Sequence, residues 1–248
     1  MGKTRLTYLG HATVLIETGR LKILTDPILR QRVAGVLRSA PIDLRSLEDG
    51  LDAVVISHAH YDHLHESSLR LLERSTRIIV PRGLGGIVGR LGFKDVDEVR
   101  VGDALEIDKV VIKVVHAEHS GQRLPFVLTA GAVGYVIEGD QRVYFAGDTD
   151  MYEGMAAIDA PDVALLPIWG WGPRLGPGHM NPRRAAEAAA LLRARLAIPI
   201  HWGSLHPMGM RRLMPDQPAR QFAEAVAELA PATRVSVLEP GGSLDLGG

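Results

Sequence analysis

Cysteine is absent from this chain of 248 residues, which excludes disulfides, thiolate catalysis and cysteine-ligated zinc or iron–sulfur centres. Any transition metal therefore has to be held by histidine and carboxylate. A surplus of charge is missing too: the formal net charge is -1 and the sequence pI is about 6.8. No overall field gathers nucleic acid or an anionic membrane. Lysine is scarce (Lys3, Lys22, Lys94, Lys109 and Lys113), and the arginines that complete the 28 basic residues are scattered rather than gathered into a stripe. That distribution reads as coding bias and not as a phosphate-binding surface. Long apolar runs are lacking at the start, where "MGKTRLTYLGHATVLIETGRLKIL" has polar and charged interruptions. Neither a signal peptide nor a spanning helix is expected there, and the cytoplasm is the default location. No low-complexity linker or short repeat divides the chain, so residues 1–248 are expected to form a single domain, long enough to bury a sizeable core.

What is present is a succession of short apolar strands and amphipathic segments. "TRLTYLGHATVLIET" and "RLKILTDP" read as strands joined at Gly19-Arg20, and "LDAVVIS" as a strand covered on both faces. "SSLRLLERS" and "GLGGIVGRLG" read as helices around a strand "RIIVP". Further strands are expected at "DKVVIKVVHAEHS", "GAVGYVIEG", "QRVYFAGDTD", "DVALLPI" and "AIPIH", with a helix near "MYEGMAAI". The clearest helix is "NPRRAAEAAALLRARL", capped by Asn181 with Pro182 at its first position. A helix "DQPARQFAEAVAELA" and a strand "RVSVLEP" are expected to finish the chain. Two β-rich halves of this kind predict an α/β protein of four layers, two sheets packed together with helices outside.

The chemistry gathers in "SHAHYDHLH", which sets His58, His60, Asp62, His63 and His65 at the end of an apolar strand. Residues two apart on extended backbone share a side, so His58 and His60 can reach one metal. Asp62 and His63 are adjacent and converge only where the chain turns, which suits a second metal. Four ligands do not complete a two-metal catalytic site, so further ones are expected after other strands. "VVHAEHS" offers His116 and His119, "FAGDTD" offers Asp148 and Asp150, and "IPIHWGS" offers His201.

In that order, "SHAHYDH", "AEHS", "FAGDTD" and "PIHWG" resemble the metallo-β-lactamase-fold superfamily of metallohydrolases, over nearly the whole chain. The resemblance implies a four-layer αββα sandwich with its site at one edge of the two sheets. It implies His58, His60 and His119 on one metal, Asp62, His63 and His201 on the other, and Asp148 bridging. His119 rather than His116 fits the ligand segment, and Asp150 is read as a solvated acid or a partner of a ligand. "YLGHATVLIE", "LTDPIL", "ISHAHYDHL" and "PGHMNPRRAAEAA" look most like the branch of ascorbate-phosphate lactonases and N-acylphosphatidylethanolamine phospholipases D. Within that branch His179 matches a histidine near substrate, while His11 and Asp26 are expected to buttress ligands from below. His179 also precedes the Asn181 cap, whose helix N-terminus attracts an anionic group.

These features predict a dinuclear metal-dependent hydrolase. Two divalent ions, zinc first by the Irving–Williams order with manganese or iron as alternatives, would generate a bridging hydroxide that attacks an ester, lactone or phosphodiester. Asp62 and Asp148 would accept or relay its proton, and His179 would stabilise charge developing on substrate. The glycine- and proline-rich loop "PIWGWGPRLGPGH" is expected to supply Trp169 and Trp171 as an apolar wall and Arg174 as partner to an anion. The expected partner is a small-molecule substrate; nothing in the composition points to nucleic acid or membrane, and oligomeric state is unreadable. The competing readings are a non-catalytic or regulatory metal-binding protein of the same fold and a nucleic-acid phosphodiesterase.

Overall fold

A computed structural model of the protein describes residues 3–33, 35–120, 130–213 and 217–247. Two seven-stranded sheets carry the chain. The first runs, in spatial order, Ser243–Leu246, Thr4–Gly10, Thr13–Thr18, Leu21–Thr25, Ala53–Val55, Arg77–Pro81 and Val96–Val99. The second runs Arg234–Val235, Leu196–Ile200, Val163–Pro167, Arg142–Phe145, Val133–Glu138, Val110–His116 and Ala104–Ile107.

Ala53–Val55 lies between parallel neighbours, Leu21–Thr25 and Arg77–Pro81, and all its residues are buried. That explains why its sequence is continuously apolar instead of alternating. Between the sheets, Tyr8, Val14, Ile16 and Ile23 face Val114, Tyr135, Phe145, Leu165 and Ile198 in one apolar layer. A second layer packs Ala185, Ala189 and Phe222 of helices Pro182–Leu192 and Pro218–Leu229 onto Tyr144, Ala164 and Leu166 of the second sheet. A third packs Leu69, Ile87 and Val88 of the short helices Glu66–Leu69 and Gly85–Gly89 onto the outer face of the first. The result is the expected αββα sandwich. Asn181 caps its helix by accepting the Arg184 N–H at 2.9 Å, with Pro182 at the first position.

Four features depart from the sequence reading. "TRLTYLGHATVLIET" is two antiparallel strands, because Gly10 and His11 both adopt left-handed backbone (φ 104° and 59°) and turn the chain. The segment "RVSVLEP" contributes only Arg234–Val235, and the chain continues past it to Ser243–Leu246, antiparallel to Thr4–Gly10 at the first sheet's edge. A small third sheet, Leu205–Pro207, Val36–Arg38 and Arg32–Val33, was not expected at all. It is fastened by the buried Arg38, whose guanidinium donates to the carbonyls of Leu9 and, at 2.8 Å, Ile28. The expected helix near "MYEGMAAI" is a 3-10 turn, Glu153–Ala157.

At one edge the two sheets approach closely. Tyr135 donates its hydroxyl to the Ile56 carbonyl at 2.7 Å, and Val133 donates its N–H to the Ser57 carbonyl at 3.0 Å. Gly147 has φ 61°, and a Cβ placed there would lie 2.5 Å from the Ser57 Cβ. Only glycine lets the strand ends meet at that distance. Gly147→Ala is therefore expected to lower stability by at least about 1–2 kcal/mol from its backbone conformation alone, measured as a drop in the urea unfolding midpoint.

Candidate metal centre

The histidine loop follows strand Ala53–Val55, Asp148 follows Arg142–Phe145 and His201 follows Leu196–Ile200, each at the carboxyl end of a strand with at least one parallel neighbour. Side chains from segments far apart in sequence thus meet at one sheet edge. Their ligand atoms form two groups, His58, His60, His119 and Asp148 in one and His11, Asp62, His63 and His201 in the other, with the atoms of each within 4.8 Å of one another. His60 Nδ1 is 3.2 Å from His119 Nε2, and His63 Nε2 is 3.1 Å from His201 Nε2. Asp62 Oδ2 lies 3.6 Å from His63 Nε2 and 3.5 Å from His201 Nε2. Asp148 reaches both groups: Oδ2 is 3.8 Å from His58 Nε2 and 3.1 Å from His63 Nε2, and Oδ1 is 3.1 Å from His201 Nε2.

These separations suit metal binding. Bonds of ~2.0–2.1 Å in tetrahedral geometry set neighbouring ligand atoms roughly 3.3–3.4 Å apart. His58 Nε2 and Asp148 Oδ1 are buried yet have no hydrogen-bond partner among the described residues, an arrangement that costs free energy unless a cation or another polar group meets them.

The opposite ring nitrogens are held from behind. Asp26 accepts at 2.7 Å from the Ser57 N–H, at 2.6 Å from its hydroxyl and at 2.6 Å from His63 Nδ1. Ser57 Oγ lies 2.9 Å from His58 Nδ1. His119 Nδ1 donates to the Gly178 carbonyl at 2.8 Å, and His201 Nδ1 to the Trp169 carbonyl at 3.1 Å. Each contact fixes a tautomer that leaves Nε2 facing the centre. Gly178 has φ 73°, and a Cβ there would come within 2.9 Å of His119 Nδ1.

His11 stands closer to the ligands than the sequence suggested. Its Nε2 is 3.0 Å from Asp62 Oδ2, its ring lies 3.9 Å from that of His201, and its carbonyl accepts the His201 N–H at 2.8 Å. Both residues hold left-handed backbone, φ 59° and 60°. Asp26 does sit behind the ligands as expected, but His11 joins the second group itself.

Burial keeps the His58 ring well below the ordinary histidine pKa, with His63 adding to the effect, and it lowers His119 to about 4 and His11 to about 3. Rings held neutral are ready to coordinate. For His63 burial acts the same way but is outweighed by Asp148, Asp62 and Asp26, which hold its pKa well above the ordinary value. Burial raises Asp62 and Asp148, yet His63 holds Asp62, and His201 with His63 hold Asp148, well below the carboxylate range. Buried carboxylates kept ionised among imidazoles make a strong attractor for a cation.

His179 is 3.3 Å from Asp148 Oδ2, donates Nδ1–H to the Pro177 carbonyl at 3.0 Å, and lines a cavity of about 390 Å³ above the cluster. Burial lowers its pKa, but the hydrogen bond to Asp148 outweighs this and holds it raised. Trp171 and Arg174 line the same cavity, as expected of their loop. Trp169 does not: its indole donates to the Gly172 carbonyl at 3.0 Å and faces a separate groove with Asn181 and Pro182. Its contribution to the centre is the backbone carbonyl that holds His201. His116, Asp150 and His65 stay outside both groups. His116 meets Glu118, Asp150 pairs with Arg184 at 2.6 Å, and His65 Nδ1 bonds Ser68 Oγ at 2.7 Å. Val33, Val36, Tyr61 and Leu175 also line the cavity. Sequence reasoning missed them because the first two depend on the unexpected third sheet, and no polar signal marks any of them as special.

Comparison with known proteins places this centre in a family. Residues 22–202 match the profile of the beta-lactamase superfamily domain, and the chain belongs to that superfamily. It is 30% identical over 248 residues to a metal-dependent hydrolase of Methanopyrus kandleri, covering 97% of this chain and 99% of that one. It is 33% identical over 261 residues to an N-acyl-phosphatidylethanolamine-hydrolyzing phospholipase D of Caenorhabditis elegans, covering 93% and 73% respectively. A solved metallo hydrolase from Ignicoccus hospitalis superposes with a TM-score of 0.76 at 26% identity, covering 99% of each chain. The protein is a metal-dependent hydrolase of this superfamily with a His/Asp metal-binding cluster.

The supporting contacts generate a test. His11→Ala and Asp26→Ala are each expected to weaken metal retention by roughly 10–100-fold, read by chelator competition with circular dichroism to establish folding. Retention at the unsubstituted level in a folded His11→Ala protein would remove His11 from the centre.

Proposed function

We propose that this protein is a dinuclear hydrolase that cleaves an ester, lactone or phosphodiester in a small anionic substrate. His58, His60 and His119 would hold one metal and Asp62, His63 and His201 the other, with Asp148 within reach of both groups. The observation that carries this reading is the position of Asp148, whose two carboxylate oxygens lie near His58, His63 and His201 and so address both groups of ligand atoms.

Divalent ions bound there would supply a water of lowered pKa and polarise the bond to be cleaved. The chain's own residues do the rest. Asp62 and Asp148, whose carboxylates border the cavity where the nucleophile would form, are placed to take up its proton. His179, at the cavity wall with its raised pKa, is placed to meet negative charge developing on a substrate oxygen. The all-histidine and carboxylate donor set suits zinc, and also manganese or iron; zinc is the first candidate because its position in the affinity series favours it.

Arg174 supports an anionic substrate, since it lines the cavity and has no ion-pair partner among the described residues. Arg174→Ala is expected to raise KM for an anionic substrate several-fold while leaving kcat within about twofold, as loss of uniform binding does. An unchanged KM would end its binding role.

Metal analysis is expected to find two ions per chain, and the loaded protein to hydrolyse at least one of a set of lactone, phosphodiester and simple ester probes. His63→Ala, checked for folding by circular dichroism, is expected to lose an ion and reduce turnover by 100-fold or more, about 3 kcal/mol of transition-state stabilisation. Turnover persisting in that variant would sink the two-metal mechanism.

A further inference from the structure

The cavity above the metal cluster divides by chemistry. Among the described residues, its ionisable side chains are His60, Asp62, Asp148, His179 and His201 at the reacting end, with Arg174 added from the neighbouring loop. The remaining lining side chains among the described residues are aliphatic or aromatic. Val33 and Val36 come from the small third sheet, Tyr61 from the histidine loop, and Trp171 and Leu175 from the loop that leads to His179. Among the described residues, no serine, threonine, asparagine or glutamine lines it.

That inventory constrains what can be bound. A polyhydroxylated substrate such as a sugar lactone would bring hydroxyls against Val33, Val36 and Leu175, whose side chains cannot replace the hydrogen bonds lost to water. A hydrocarbon chain or ring, in contrast, gains from every methylene removed from water. The volume of about 390 Å³ lies within the range of sites that enclose a small organic molecule.

The apolar walls are firmly seated. Val36 pairs with Pro207 and Val33 with Val36 in the small sheet, which the buried Arg38 ties to the carbonyls of Leu9 and Ile28. Leu9 adjoins the Gly10–His11 turn, so the wall and the metal cluster share one support. Trp171 and Tyr61 are each about two-fifths exposed, at 41% and 40%, as rings that border an open cavity would be.

We infer that the substrate is an amphiphilic lactone or ester that carries an anionic group within reach of Arg174 and whose apolar side chain packs between Val33, Val36 and Tyr61 on one side and Trp171 and Leu175 on the other. This rests on the hydrolase reading above, which leaves the bond type open. Hydrolysis adds water across the acyl carbon–oxygen bond, giving a carboxylate and a hydroxyl with no other reactant.

The test uses the metal-loaded protein with γ-butyrolactone, γ-decalactone and δ-gluconolactone. The expected result is a kcat/KM roughly 10–100-fold higher for γ-decalactone than for γ-butyrolactone, with δ-gluconolactone below both. Trp171→Ala and Val36→Asp are each expected to shrink the ratio between the first two. Equal values for the two alkyl lactones, or a preference for the sugar lactone, would overturn the inference. Binding is read separately by tryptophan fluorescence with decanoate and gluconate, using Trp171→Phe as control. Should no lactone turn over while decanoate still binds at least 10-fold more tightly than gluconate through Trp171, the apolar chamber stands and the hydrolytic reading fails. Equal weak binding of both would remove the chamber itself.

Discussion

The buried carboxylate of Asp148 among imidazoles from both sheets is the contact on which the arrangement depends. His63 and His58 belong to the loop after a strand of the first sheet, whereas Asp148 and His201 follow strands of the second. Asp148 therefore closes the sandwich at one edge as well as joining the two groups of metal-ligating atoms. The neighbouring backbone must permit this, and does so through Gly147, whose missing side chain leaves room for Ser57. Asp26 then ties Ser57 and His63 into one unit beneath the centre. Sheet packing and ligand geometry are the same constraint seen from two sides.

Such a centre is costly without its cation. It buries several ionisable groups where desolvation opposes charge, and it leaves His58 Nε2 and Asp148 Oδ1 without hydrogen-bond partners among the described residues. The apolar layers between and outside the sheets supply the stability that tolerates this. Unusual backbone is gathered there too: His11, Asp26 and His201 have positive φ, as do Asp108 and Arg193 elsewhere among the described residues, a conformation uncommon for residues with a side chain. The fold is locally inconsistent at the positions where a metal would compensate, which is the pattern expected of functional sites.

The sequence disclosed the sandwich and most of the centre because both rest on short-range signals. Apolar runs of strand length mark the buried parallel strands, and His-x-His-x-Asp-His after one of them has few structural explanations. His119, Asp148 and His201 became legible only by order and resemblance, since nothing local distinguishes His119 from His116 or Asp148 from Asp150. The structure separates each pair by direction: His116 ends its strand facing Glu118 and Tyr152, and Asp150 turns to Arg184. His11 was underestimated because its place depends on a left-handed turn within what reads as continuous extended chain. The third sheet and the final strand were hidden for a related reason. Their strands are two to four residues long and owe their existence to distant partners, Val36–Arg38 to Leu205–Pro207 and Ser243–Leu246 to Thr4–Gly10.

Reactivity and selectivity thus draw on different parts of the chain. The histidines that address a metal donate hydrogen bonds to the Asp26 carboxylate and to the Gly178 and Trp169 carbonyls, so small changes there disturb several contacts together. The cavity walls come instead from the Trp171–Leu175 loop and the small sheet of Val33 and Val36, which contribute no ligand atom to either group. Substitution in those segments can reshape what is bound while leaving the metal cluster's supports in place. The exception is the seam at Arg38, which fixes the small sheet through the Leu9 carbonyl beside the Gly10–His11 turn. At that one junction the wall that selects and the cluster that reacts are mechanically joined.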